Sequence, residues 1–128
     1  MDTQTIAAAV GAGLLVFLMG FQILLALGLP LGRAAWGGAH RILPTKLRWS
    51  SLAAVPVLAA AAWAVLARAN LVPPGSDPFV VKILTWVFAA YFALNTAMNA
   101  ASKSRLERFA MTPVAAIVAA SLVLVAMS

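Results

Sequence analysis

The chain has 128 residues, of which 64% are hydrophobic and only 9% are charged, and its net charge is +6. Soluble domains usually carry about a quarter charged residues, so this composition excludes an ordinary soluble domain and favours an integral membrane protein. The lack of cysteine excludes disulfides and thiolate metal sites. Nine basic residues lie between apolar runs, which favours a membrane surface over nucleic acid as the partner.

Four stretches are long and apolar enough to cross a bilayer, which takes about 20 residues of helix. They cover approximately residues 6–29, 49–67, 79–98 and 109–127. Because lipid offers the backbone no hydrogen-bond partner, each stretch is predicted to be helical, and the short connections predict antiparallel neighbours. The prediction is an all-α membrane protein, with residues 1–128 forming a single domain built as an up-down bundle of four transmembrane helices. Asp2 precedes the first stretch without any basic residue, so we interpret that stretch as a retained span.

Two connections carry most of the positive charge. Loop one, residues 30–48, and loop three, residues 99–108, hold seven of the nine basic residues. The positive-inside rule therefore predicts that both loops are cytoplasmic and that both termini lie outside.

A basic pair followed by a proline occurs twice along the chain. Lys46-x-Arg48 with Pro56 is matched by Lys103-x-Arg105 with Pro113, at the same separation. Two tandem helical hairpins related by duplication are one interpretation, and chance matches in an alanine-rich sequence are the other. Either way, each proline removes one backbone hydrogen bond and is expected to loosen its helix.

Polar residues inside the predicted spans are the main functional clue. Tyr91, Asn95 and Asn99 recur at helical spacing, and Gln22 lies at a similar depth in the first span. These side chains either join helices through hydrogen bonds or line a pocket or path that opens to the cytoplasm. No acidic residue lies inside a span, which favours an anion or a small neutral solute over a cation.

Small residues on the first span predict close helix packing. Ala9, Gly13, Gly20 and Gly28 lie roughly along one side of this span. Because small side chains allow two backbones to approach, we expect a neighbouring helix to pack against this side.

Loops one and three contain the candidate contacts with lipid or protein. These are Arg33, Trp36, His40 and Arg41 in loop one, and Lys103, Arg105, Glu107 and Arg108 in loop three. Basic side chains near a membrane attract anionic lipid headgroups, and every multi-pass protein also uses such residues to set its topology. His40 has no orienting acid on its side except Glu107, which has basic neighbours, so no catalytic set is formed. We expect a non-enzyme without a cofactor or a metal.

The loop sequences also carry a resemblance. The motifs are Gly32-Arg33-x-x-Trp36-Gly37-Gly38-x-His40-Arg41-x-Leu43-Pro44 and Met98-Asn99-x-x-Ser102-x-Ser104-Arg105-x-Glu107-Arg108-x-x-Met111-Thr112-Pro113. They resemble those of a family of small four-span integral membrane proteins from actinobacteria to which no activity is assigned. The resemblance extends over nearly the whole chain and implies a bacterial plasma-membrane protein.

Two functions are expected from these features. The first is a non-catalytic interaction or accessory subunit, whose basic cytoplasmic loops contact a second copy, another membrane protein or anionic lipid headgroups. The alternative is an oligomeric channel or transporter for an anion or a small neutral solute, lined by the membrane amides. Nucleic acid is not an expected partner, because the positive charge lies beside the membrane.

Overall fold

A computed structural model describes residues 2–75 and 77–128. It contains four long helices: α1 (Thr3–Ala26), α2 (Thr45–Arg68), α3 (Pro78–Ala100) and α4 (Thr112–Met127). A π-helical turn, Glu107–Met111, precedes α4, so the fourth span runs over Glu107–Met127. Each of the four spans is long and apolar enough to cross a membrane. The prediction of an all-α, four-helix membrane protein is confirmed.

α1 and α2 both end at a residue with a left-handed backbone conformation, and α1 is also capped by a side chain of α2. Gly28 follows α1 with a φ of 90°, and Asn70 follows α2 with a φ of 61°. In this left-handed backbone, N–H groups beyond each helix reach back to its last carbonyls. At the end of α1, the Arg48 guanidinium from the first turn of α2 also donates to the Ala26 carbonyl, at 2.9 Å. A cation placed at a helix C-terminus complements the helix dipole.

The helices pack as two hairpins side by side. α1 packs most extensively on α2, and α3 packs most extensively on α4, while α1 and α4 join the two pairs. The fully buried side chains at the centre include Leu15, Val65, Val118 and Leu122. This arrangement agrees with two tandem helical hairpins, and the duplication itself stays a prediction.

Close helix approach occurs at a different glycine from those predicted. A Cβ added at Gly11 of α1 would lie 3.0 Å from the Ser121 Cβ of α4, whereas one added at Gly13 or Gly20 would meet nothing within 4 Å. The prediction of a packing side through Gly13 and Gly20 is therefore wrong. Those two residues lie on the outer face of the bundle, where lipid would cover them.

The π-helical turn changes the direction of the residues that precede α4. The N–H and hydroxyl of Thr112 both bond to the Glu107 carbonyl, five residues back. Pro113 has no N–H to continue the regular pattern at the next position. One extra residue in a turn rotates the preceding positions by about 100° relative to a regular helix. Pro56, by contrast, lies within α2, so the two matched prolines have different surroundings.

Candidate functional site

A cavity of about 740 Å³ lies where loops one and three meet the helices, and we call this end of the bundle the basic end. Residues of all four helices line the cavity, and its exposed edge includes Val57 of α2 together with Leu94 and Met98 of α3. At the other end the same two helices are in contact, since the buried Thr85 hydroxyl lies 3.4 Å from the Ala64 carbonyl. α2 and α3 therefore separate toward the basic end, and the space between them falls within the size range of small-molecule sites.

The walls of the cavity are mostly apolar, with a few polar groups. Apolar surface comes from Leu18, Phe21, Leu58, Phe92, Met98, Met111 and Val114, among others. Polar groups come from Gln22, Tyr91, Asn95, Asn99, Ser102, Lys103 and Glu107. Small-molecule sites commonly combine apolar walls with a few placed polar groups.

The four polar residues predicted inside the spans, Gln22, Tyr91, Asn95 and Asn99, all line this cavity. The Asn99 side-chain amide donates to the Asn95 side-chain oxygen at 2.7 Å, and both residues belong to α3. The Gln22 side-chain oxygen is buried and accepts no hydrogen bond among the described residues. Tyr91 packs edge-on against Phe92, with ring centroids 5.2 Å apart. In the part of the chain that the structure describes, none of these four polar side chains is hydrogen-bonded to a different helix.

Glu107 is the acidic side chain of this site. Although it was predicted as a contact residue of loop three, it is only 7% exposed and lines the cavity. Its carboxylate accepts a hydrogen bond from the Ser102 hydroxyl at 3.2 Å, so a hydroxyl serves as its partner. One sequence signal could have placed it there: Glu107, Met111, Val114 and Ala115 follow helical spacing, and all four line the cavity.

Part of loop one covers the cavity at the basic end. Its residues 34–37 contribute to the lining, and two short 3₁₀ turns, Gly32–Ala34 and Trp36–Gly38, shape the backbone there. Trp36 has a φ of 51°, which is rare for a bulky side chain. Its indole N–H donates to the hydroxyl of the fully buried Ser51 at 2.9 Å. This bond holds a strained residue across the mouth of the cavity.

Loop one also interlocks with loop three. The Ser104 hydroxyl donates to the Arg33 carbonyl, and the Arg33 guanidinium donates to the Gly38 carbonyl at 2.8 Å. The other predicted contact residues of both loops, His40, Arg41, Lys103, Arg105 and Arg108, are exposed. A second, shallower cleft of about 520 Å³ lies between the loops, lined partly by Arg33, Lys103 and Arg105. The two loops thus form a single basic surface beside the cavity mouth.

Within the described residues, no group of three or more His, Cys, Asp or Glu side chains is placed to hold a metal ion. His40 is exposed in loop one and does not line the cavity. In comparisons with known proteins, no family model, curated protein or solved structure matches the chain.

Proposed function

We propose that this multi-pass membrane protein binds a small solute in the cavity at its basic end. The observation that carries the proposal is the buried Gln22 oxygen, which has no partner among the described residues and lines an apolar-walled space. Leaving a buried acceptor unpaired costs about 1 to 3 kcal/mol. A ligand that donates a hydrogen bond to Gln22, once the side-chain amide turns its oxygen toward the cavity, would remove this cost.

The closed opposite end favours binding over an open pore through one copy. Thr85 is fully buried where α2 meets α3, and Leu15 and Val65 fill the centre of the bundle. Passage of a solute across the membrane would require α2 and α3 to separate at Thr85, or a path between several copies. The channel or transporter activity predicted from the amides therefore becomes, in this proposal, a carrier with one accessible side.

We further propose that the basic end faces the cytoplasm of a bacterial cell. Loops one and three lie together there, with seven of the nine basic residues. Gln4 near the start of α1 and Ser128 after α4 both bond to Arg68 at the other end of the bundle, which also carries Lys82. Membership of the actinobacterial family stays a prediction from the two loop motifs. A reporter fused after Ser128 should report an outside location.

The solute proposal is tested by removing polar groups from the cavity. Gln22→Leu and Asn95→Leu should each weaken solute binding, or uptake into proteoliposomes, by about tenfold if one hydrogen bond is lost. Gln4→Leu is the matched control, because Gln4 lies on α1 at the opposite end of the bundle, where its amide bonds to the Arg68 carbonyl. Neutral solutes, anions and amines are screened with each protein. Equal binding and uptake in all four proteins would contradict the proposal.

A second candidate function is recognition through the basic loops. It is favoured by the interlocking of loops one and three, which places Arg33, Lys103 and Arg105 around one cleft. Arg41 of loop one is exposed as well. Such a surface suits anionic lipid headgroups, and an accessory subunit would offer it to a second copy or another membrane protein. Each exposed basic residue near an anionic leaflet contributes about 1 kcal/mol of attraction.

Native mass spectrometry at increasing salt tests this second function. Retention of an anionic phospholipid should fall as the salt rises, and it should fall further in Arg41→Gln with Arg105→Gln. Lys82→Gln serves as the matched control, since Lys82 is exposed near the start of α3, away from both loops. Cross-linking in cells at loop positions tests for a protein partner. This candidate would be excluded if lipid retention changed neither with salt nor with any of the three substitutions, and if no cross-linked product formed.

A further inference from the structure

We infer that the ligand of the cavity is an amphipathic amine, with an apolar body and a protonated amino group that donates hydrogen bonds to Glu107 and Gln22. The inference rests on the proposed solute-binding function and specifies its ligand class. It replaces the anion or neutral solute that the sequence favoured, because the sequence placed no acid inside the membrane, whereas the structure places a buried carboxylate in the cavity wall.

The polar part of the cavity has more acceptor capacity than its own residues fill. A carboxylate has about four lone-pair sites, and the described contacts of Glu107 use one of them, for the Ser102 hydroxyl. The Gln22 oxygen is a further buried acceptor without a partner. A protonated amine carries three donors and a positive charge, so it can bond to the Glu107 carboxylate and compensate its burial. A turn of the Gln22 amide toward the cavity would give a second donor of the same ammonium group an acceptor.

The basic side chains near this site leave the carboxylate available. Among the residues that line the cavity, Lys103 is the basic one, and it is exposed. Arg33, Arg105 and Arg108 are also exposed, and they do not line this cavity. A cationic ligand would compete with Lys103 alone, so Lys103→Gln should strengthen the binding of an amine or leave it unchanged.

The remaining walls fit the apolar body of the ligand. Apolar side chains of three helices line the space: Val57 and Leu58 of α2, Phe92 and Leu94 of α3, and Phe21 of α1. An aromatic face near an ammonium group adds a favourable cation–π contribution. A small hydrocarbon ring therefore fits between α2 and α3, with its amino group toward Glu107.

Three probes with one apolar body and different head groups test the inference: cyclohexylmethylamine, cyclohexylmethanol and cyclohexanecarboxylate. Binding to the full chain in lipid nanodiscs is measured by isothermal titration calorimetry at neutral pH, with empty nanodiscs as the partition control. We expect the amine to bind about tenfold more tightly than the alcohol, as for a hydrogen bond to a charged group, and the carboxylate to bind most weakly. Glu107→Gln should lower the affinity for the amine about tenfold and leave the affinity for the alcohol unchanged.

The outcomes separate this inference from the proposed function. If the alcohol or the carboxylate binds most tightly and Asn95→Leu weakens that binding, the ligand is not an amine, but the solute-binding function is supported. An amine affinity that Glu107→Gln does not change would also overturn the inference. If none of the three probes binds the protein more tightly than empty nanodiscs, the amine inference is overturned, and the solute-binding function is decided by the Gln22→Leu and Asn95→Leu comparison. If Glu107→Gln does not fold, the order of the three probes on the unsubstituted protein still decides between the head groups.

Discussion

Replacing Gly38 with alanine tests whether loops one and three are locked together over the cavity. An added Cβ at Gly38 would lie 2.7 Å from the Ser104 hydroxyl oxygen and 3.0 Å from the Arg33 carbonyl oxygen. Gly37 is the matched control, because its φ of 79° is close to the 74° of Gly38, while its added Cβ would meet nothing within 4 Å. The two variants therefore share the same backbone strain and differ in the clash with loop three.

The difference in stability can be estimated from these contacts. Alanine in a left-handed conformation costs roughly 1 to 2 kcal/mol, and both variants incur this cost. Gly38→Ala adds an overpacking cost of about 1 to 3 kcal/mol. It also separates the Ser104 hydroxyl from the Arg33 carbonyl, and loss of that hydrogen bond costs about 1 kcal/mol. Gly38→Ala should therefore be less stable than Gly37→Ala by about 2 to 4 kcal/mol.

Thermal unfolding in detergent, followed by circular dichroism, measures this difference. For a chain of this size it corresponds to an unfolding temperature about 10 °C lower for Gly38→Ala than for Gly37→Ala. Limited trypsin digestion should also cut after the exposed Arg41 sooner in Gly38→Ala, because loop one no longer rests on Ser104. Equal unfolding temperatures and equal digestion rates in the two variants would refute the interlocking of the loops.

Three further substitutions test the fold. Gly11→Ala should be less stable than Gly13→Ala by about 1 to 3 kcal/mol in the same unfolding assay, because its Cβ would press on Ser121 of α4; a more stable Gly11→Ala would contradict this packing. Arg48→Ala should cost about 1 to 2 kcal/mol by removing the guanidinium from the last turn of α1, and an unchanged unfolding temperature would show that the bond contributes nothing. Hydrogen bonds from the backbone N–H of Thr5 and then from its side chain hold the pKa of Asp2 below the ordinary 3.8. The charged Asp2 therefore stabilises the start of α1 above that pH. The difference in stability between Asp2→Ala and the unsubstituted protein should disappear as the pH falls below 3.8. A difference that persists in acid would show that Asp2 acts without its charge.

The four helices could be predicted because their signal is local. A bilayer requires about 20 apolar residues in a helix, and this requirement can be read from any one stretch without knowledge of its neighbours. The bounds were less predictable: α2 begins at Thr45, several residues before the predicted span, because its first turn is polar and includes Lys46 and Arg48. Lys46 and Arg48 were predicted to lie in loop one because they are charged. A helix continues through charged residues as long as its backbone N–H and C=O groups remain hydrogen-bonded.

The candidate site was predictable in part. The spacing of Tyr91, Asn95 and Asn99 placed them on one stripe, and this stripe lines the cavity. Glu107 was placed in a loop on the basis of its charged neighbours. Its spacing from Met111, Val114 and Ala115 is the signal that could have placed it in the wall of the cavity.

The sequence by itself determined that this is a membrane protein of four helices with its positive charge on one side, because length, hydropathy and charge are properties of each segment. The tertiary structure decided which residues meet. α2 and α3 touch at Thr85 and separate toward the basic end, and Glu107 lies in the wall of the resulting space with only 7% of its surface exposed. Helix separation and helix rotation depend on packing between distant segments, so the cavity and its buried carboxylate emerge only from the assembled bundle.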